Sequence, residues 1–311
     1  MQTALLGLAA APLDRVLQFA EARRYRKAPA PRLPLLFICG APRSGTTLVE
    51  QVLIQHLPVA FINNLTAIFP RAPLTANRLF RPAVSRRSTY HNFYGKTVGF
   101  SGPNDGLHLW DRWLGADRTR ARTSLEPEEA DAMRRFFGAM EQLFGKPILV
   151  KNNNLNACAS LVAEVFDQAV FICMTREPLY LAQSLLRARL DIHGGEDVPY
   201  GLTGSADSSS GALDAIEDVC RQALYHERLA REQQNRIGPR RFWIVRYETF
   251  CQNPSDLVEA VAVNVLGRQP RVTGARLPPF AVSNTVRIPP PRFAEIAATL
   301  ERLGHPPRGR P

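Results

Sequence analysis

Lysine is nearly absent from this chain of 311 residues: only Lys27, Lys96, Lys146 and Lys151 occur among 39 basic side chains. The formal charge of +11 is therefore almost wholly guanidinium, which suits bidentate recognition of phosphate, sulfate, carboxylate or nucleic acid. A GC-rich coding sequence would produce the same bias, so charge alone does not choose among these partners. Cysteine is also sparse. Cys39, Cys158, Cys173, Cys220 and Cys251 make an odd set with no CxxC and no Cys/His cluster at metal spacing. That excludes a disulfide framework and a structural zinc site, and points to buried, reduced thiols in a soluble, cytoplasmic protein. Long apolar runs are missing. ALLGLAAAPL is too short to span a bilayer and has no basic residues before it, so any membrane contact is expected to be peripheral. There is no internal repeat.

What is present is an alternation of buried strands and helices. LLFICGAP, PILVKN (147–152), AVFICMTRE (169–177) and FWIVRYE (242–248) read as strands covered on both faces. Each of the first three leads into a helical stretch, TTLVEQVLIQHL, LNACASLVAEVF and PLYLAQSLLRARL, and a further helix is expected from about Pro254 to Leu266. The pattern predicts one α/β domain over 1–311: a three-layer, P-loop-like fold with a central parallel sheet flanked by helices and a site at the carboxyl ends of the strands. An N-terminal helix (about 1–30) is expected to pack on the domain through Leu13, Val16, Leu17 and Phe19. Residues 70–118 lack a period and read as an insertion, and the polar, glycine-rich 194–211 as a flexible loop or lid.

The stretch GAPRSGTT (40–47) has the glycine spacing of a Walker A loop but places Thr46 where the lysine belongs. Between a strand and a helix, the backbone N–H groups and hydroxyls of Ser44, Gly45, Thr46 and Thr47 would line an anion site, with Arg43 supplying charge. Without that lysine, the loop is poorly equipped for Mg²⁺ and a triphosphate. A second constellation is TREPLYLAQS, in which Arg176 follows a buried strand and Ser184 lies two helical turns on.

Together these segments resemble the sulfotransferases that use 3′-phosphoadenosine 5′-phosphosulfate (PAPS). GAPRSGTTLVEQVL is similar to their 5′-phosphosulfate loop, in the arginine form of tyrosylprotein and related bacterial enzymes. FICMTREPLYLAQS is similar to their 3′-phosphate segment, and VRYETFCQNP to a later strand and turn. The resemblance implies PAPS as donor, no metal, Arg43 toward the phosphosulfate, Gly45, Thr46 and Thr47 around the 5′-phosphate, and Arg176 and Ser184 on the 3′-phosphate. Lys151 matches a lysine that some members place after the corresponding strand, where it would steady the leaving oxygen. Tyr247 would lie near the adenine, and Arg287, in a C-terminal SNTVRIPPPRF without the family's RKG-type motif, would contact the nucleotide.

The acceptor hydroxyl needs a general base. The tyrosine branch has a glutamate after the first helix, but this chain reads FINNLTAIF there. Asp105 is the first candidate and His108, whose ordinary pKa is near neutrality, the second. Trp110 and Trp113 beside them suit stacking on a sugar ring as well as plain packing. The expected activity is in-line transfer of a sulfuryl group to a hydroxyl of a carbohydrate or glycolipid-like acceptor. The rivals are a P-loop kinase of small molecules using ATP, and a non-enzymatic polyanion-binding protein; no nucleic-acid-binding signature supports the latter.

Overall fold

The computed structural model describes residues 2–80, 92–93, 96–97, 99–204, 214–268 and 276–305. A long helix α1 (Gln2–Lys27) precedes β1 (Leu35–Gly40) and α2 (Thr46–His56). There follow β2 (Ala60–Phe61), α3 (Asn64–Ile68), α4 (Pro73–Leu79), a small antiparallel pair β3 (Asn92–Phe93) and β4 (Lys96–Thr97), α5 (Leu107–Leu114) and α6 (Pro127–Phe144). The second half runs β5 (Ile148–Lys151), α7 (Leu155–Val165), β6 (Ala169–Thr175), α8 (Pro178–His193), α9 (Ala215–Ile237), β7 (Phe242–Arg246), α10 (Tyr247–Gln252), α11 (Pro254–Asn264) and α12 (Pro290–Arg302).

The apolar run of β1 takes the middle of a five-stranded parallel sheet ordered β2-β5-β1-β6-β7. Alternate side chains serve opposite layers. Leu35, Phe37 and Cys39 join one apolar cluster with α5, α6 and α7, while Leu36 and Ile38 join another with α2, α10 and α11. Such a strand has no solvent face, which is why it reads as an unbroken hydrophobic run. Because β5 and β6 flank β1 on opposite sides, the crevice at its carboxyl end is the topological switch point where ligands of such sheets bind. A buried pair of Arg189 and Asp218, 2.5 Å apart, ties α8 to α9 beside it. All five cysteines are buried, free thiols.

Two expectations are corrected. Of the residues set against the domain by α1, Leu17 packs on the cluster of Leu65, Ile68, Phe69 and Ala76, but Leu13, Val16 and Phe19 are exposed. The inner face is instead taken by two carboxylates. Asp14 accepts the N–H groups of Arg71 and Ala72, and Glu21 accepts those of Leu74 and Thr75 together with the Thr75 and Tyr25 hydroxyls. These N–H groups lie at the start of α4, where helix geometry leaves donors unpaired and the dipole favours negative charge. Trp110 and Trp113 are core residues, packed edge-to-face with each other and against Phe137, so neither offers a stacking surface to a sugar. The insertion contributes α4 and α5, while its residues 81–91 lie outside the described residues, as do 205–213 of the glycine-rich loop. Residues 200–204 are anchored: Gln222 donates to the carbonyls of Tyr200 and Leu202, and the Thr203 N–H donates to Thr119.

Candidate active site

The loop between β1 and α2 holds its shape through two backbone features. Arg43 lies in the left-handed region at φ 74°, unusual for a residue with a Cβ and a place where strain marks function. Gly45, at φ 94°, sits so close to Tyr247 that an added Cβ would fall 2.5 Å from its ring. The Ser44 hydroxyl is spent inside the loop on Ala41 O at 2.7 Å. The Thr46 hydroxyl donates to Asn153 Oδ1 at 3.2 Å, just past β5, and Thr47 is half-buried in the first turn of α2. Because Gly45 provides no side-chain cap, the first N–H groups of α2 remain as anion donors.

Arg43 donates through Nε to Ser184 Oγ at 3.2 Å, so the loop and α8 meet. Arg176, at the end of β6, donates to Arg43 O, Asn284 Oδ1 and Ser283 O at 2.9–3.0 Å, and its guanidinium lies 4.9 Å from the centre of the Tyr247 ring. The Tyr247 hydroxyl is 2.9 Å from Ser283 Oγ. Arg287 N donates to Gln183 Oε1 at 2.7 Å, closing the C-terminal segment over α8. Arg43, Arg176, Arg187 and Arg287, with Gln183, Ser184 and Ser283, enclose a cavity of about 50 Å³ whose lining contains no carboxylate. Burial, followed by the charges of Arg43 and Arg287, lowers the Arg176 pKa against the pull of Tyr247 and Glu248. Cations gathered in this way are relieved by a multiply charged anion in the cavity.

A second centre lies at the carboxyl end of β5. Lys151, fully buried, pairs its ammonium with Asp105. Burial alone would lower its pKa; Asp105 and then Glu50 outweigh that and hold it above the usual lysine range. Asp105 arrives from the segment that bridges Asn63 through Pro103, with Asn104 N donating to Ile62 O at 2.9 Å. The carboxylate therefore comes from beside FINN, the stretch in which the expected glutamate is missing. His108 is not part of this pair. The charges that bear on it are those of Arg112, Asp111 and Arg118, and burial, the larger cause, pushes its pKa down to about 4.

Three residues of the site escaped the sequence reading. Arg187 joins the cavity from α8 and pairs with Asp191 at 3.7 Å. Tyr200 packs near Ala41, and its ionisation is opposed first by burial while feeling Arg43, Asp105 and Lys151. Glu50 is buried on α2, and its Oε1 has no hydrogen-bond partner among the described residues. Burial lifts its pKa to about 8, Lys151 pulling it down and Asp105 pushing it up. Its position was legible: Thr46, Val49, Glu50 and Leu53 share one buried helix face.

A stability prediction follows from Glu50. Between its ordinary value of 4.5 and about 8, the folded chain keeps a proton that the unfolded chain has lost, so stability falls as pH rises through that window. Glu50→Gln removes this contribution. Its urea midpoint relative to wild type should climb steadily across the same window, and a pH-independent difference would contradict the assignment.

Comparison with known proteins accords with this geometry. A family model described as the sulfotransferase family matches residues 34–264. The fold is shared with the sulfotransferase STF9 of Mycobacterium avium, at a TM-score of 0.53 and 18% identity over 93% of this chain and 81% of that one. It is shared also with the sulfotransferase STF1 of Mycobacterium tuberculosis H37Rv, at 0.53 and 13% over 85% and 74%. A search of curated proteins gives no match. The family match spans the loop after β1, Lys151, Arg176 and Ser184, and the chain belongs to the sulfotransferase family, as an enzyme that uses a sulfuryl donor.

Proposed function

We propose that this enzyme transfers a sulfuryl group from PAPS to a hydroxyl of a carbohydrate or glycolipid-like acceptor. The observation that carries the donor assignment is the carboxylate-free cavity bounded by four arginines beside a P-loop without its lysine. Its volume and charge suit one phosphate group; Arg176, Ser184, Arg187 and Arg287 would hold the 3′-phosphate, and Arg43 would link that site to the loop. Gly45, Thr46 and Thr47 present N–H groups to the 5′-phosphate, with Ser44 shaping the turn, and Tyr247 borders the nucleotide. Thr46 stands where a kinase carries its Walker lysine, and Arg43 supplies the loop's charge instead.

For the chemical step, Lys151 is the cation beside the reacting oxygen atoms and Asp105 the base. While the two are paired, the carboxylate is held in place and the ammonium neutralised. As charge develops on the leaving bridging oxygen, the ammonium turns its hydrogen bond there, and Asp105 takes the proton of the attacking hydroxyl. Glu50, neutral below about pH 8, leaves the lysine charge available for that oxygen. His108 is the weaker candidate, since burial and then Arg112 hold its pKa down to about 4 and leave it a poor base, apart from the Lys151–Asp105 pair.

The test is release of 3′,5′-ADP from PAPS with a panel of free sugars, glycolipids, tyrosine peptides and simple phenols. Acceptor-dependent release with sugars or glycolipids supports the reading. Turnover with phenols alone would replace the acceptor class, and consumption of ATP but not PAPS would overturn the donor.

A further inference from the structure

The N-terminal helix α1 is turned inside out. Its two carboxylates, Asp14 and Glu21, are 1% and 0% exposed and spent on backbone N–H groups, whereas Leu8, Val16 and Phe19 are 73%, 66% and 74% exposed, with Leu6 and Leu13 also open to solvent. Val16, Phe19 and Arg23 follow one another at helical spacing and share a face. Arg15, Arg23, Arg26 and Lys27 are exposed as well. The outer surface of α1 thus combines large apolar side chains with cations, and every acid of the helix faces the domain.

A single exposed leucine needs no explanation, but a row of them on a helix already anchored by its other face marks an interaction surface. Charge decides what it fits. A second copy would bring the same arginines to the contact with no exposed acid on α1 to meet them, in a chain that already carries +11. An anionic bilayer matches both halves of the pattern: aliphatic and aromatic side chains enter the acyl boundary while Arg15, Arg23, Arg26 and Lys27 meet lipid phosphates. No helix among the described residues is long and apolar enough to cross a membrane, so the contact would be interfacial. We infer that α1 docks the enzyme on anionic phospholipid membranes through the face bearing Leu8, Val16 and Phe19. The inference does not depend on the acceptor or the donor.

The experiment is flotation of the 311-residue chain with vesicles of equimolar phosphatidylglycerol and phosphatidylcholine, beside vesicles of phosphatidylcholine alone, at low and raised salt. Wild type should float with the anionic vesicles and lose binding with salt. Phe19→Glu or Val16→Glu should weaken binding by about tenfold or more, and Arg23→Ala with Arg26→Ala by about fivefold for each arginine. Both sets should keep the wild-type melting temperature and 3′,5′-ADP binding. No flotation, equal binding of both vesicle types, or Glu variants that bind like wild type would overturn the proposal. So would light scattering that shows a dimer dispersed by Phe19→Glu without vesicle binding.

Discussion

Methionine in place of Lys151 is expected to lower kcat by about 10²- to 10³-fold, with 3′,5′-ADP binding nearly unchanged. The size follows from position. Lys151 lies at the sheet's carboxyl edge, fully buried, and its charge is held first by Asp105 in surroundings with little water to screen it. Methionine keeps the volume and removes the charge. The fold should survive because Glu50, already favouring its neutral form, then loses the cation that draws it toward ionisation. Asp105→Asn should also reduce kcat, by about 10²-fold or more. Near-wild-type kcat in Lys151→Met would remove the lysine from the chemical step. Near-wild-type kcat in Asp105→Asn would return the role of base to another group.

Alanine at Arg176 is expected to weaken 3′,5′-ADP binding by about 30- to 3000-fold, the range for truncating a buried charged hydrogen-bonding partner, while 5′-AMP binding changes little. Arg176 does more than face the cavity. It ties the carbonyl of Arg43 to Ser283 and Asn284 and lies over Tyr247, so its loss should loosen the segment that presents Arg287. Ser184→Ala, which removes one hydroxyl, should cost about tenfold. If 3′,5′-ADP and 5′-AMP lose affinity equally in Arg176→Ala, this cavity does not hold the 3′-phosphate.

Much of the fold was legible because buried parallel strands have only one way to look. β1, β5, β6 and β7 announce themselves as short apolar runs, and the loop after β1 is set by glycine spacing. β2 is only two residues long, too short for any period, and the insertion holds short helices joined by asparagine side chains, such as Asn63 donating to Asn77. α1 misled because its apolar residues are real but point outward; two carboxylates serving backbone N–H groups at α4 outcompeted them for the inner face. Arg43, Arg176 and Ser184 lie on motifs and Arg287 on a segment without one, and the fold brings all four to one cavity. Asp105 and Lys151 were named separately, and only the bridge of Asn63 to Pro103 explains how they meet. Glu50 went unmarked because a glutamate in an amphipathic helix is ordinarily a solvated residue.

The most direct test of the account is calorimetric titration of the wild-type enzyme with 3′,5′-ADP, beside 5′-AMP and beside ATP with Mg²⁺. The account predicts micromolar binding of 3′,5′-ADP and much weaker binding of the other two, because only 3′,5′-ADP places a phosphate among Arg176, Arg187 and Arg287. Equal affinity for all three, or a preference for ATP with Mg²⁺, would contradict it.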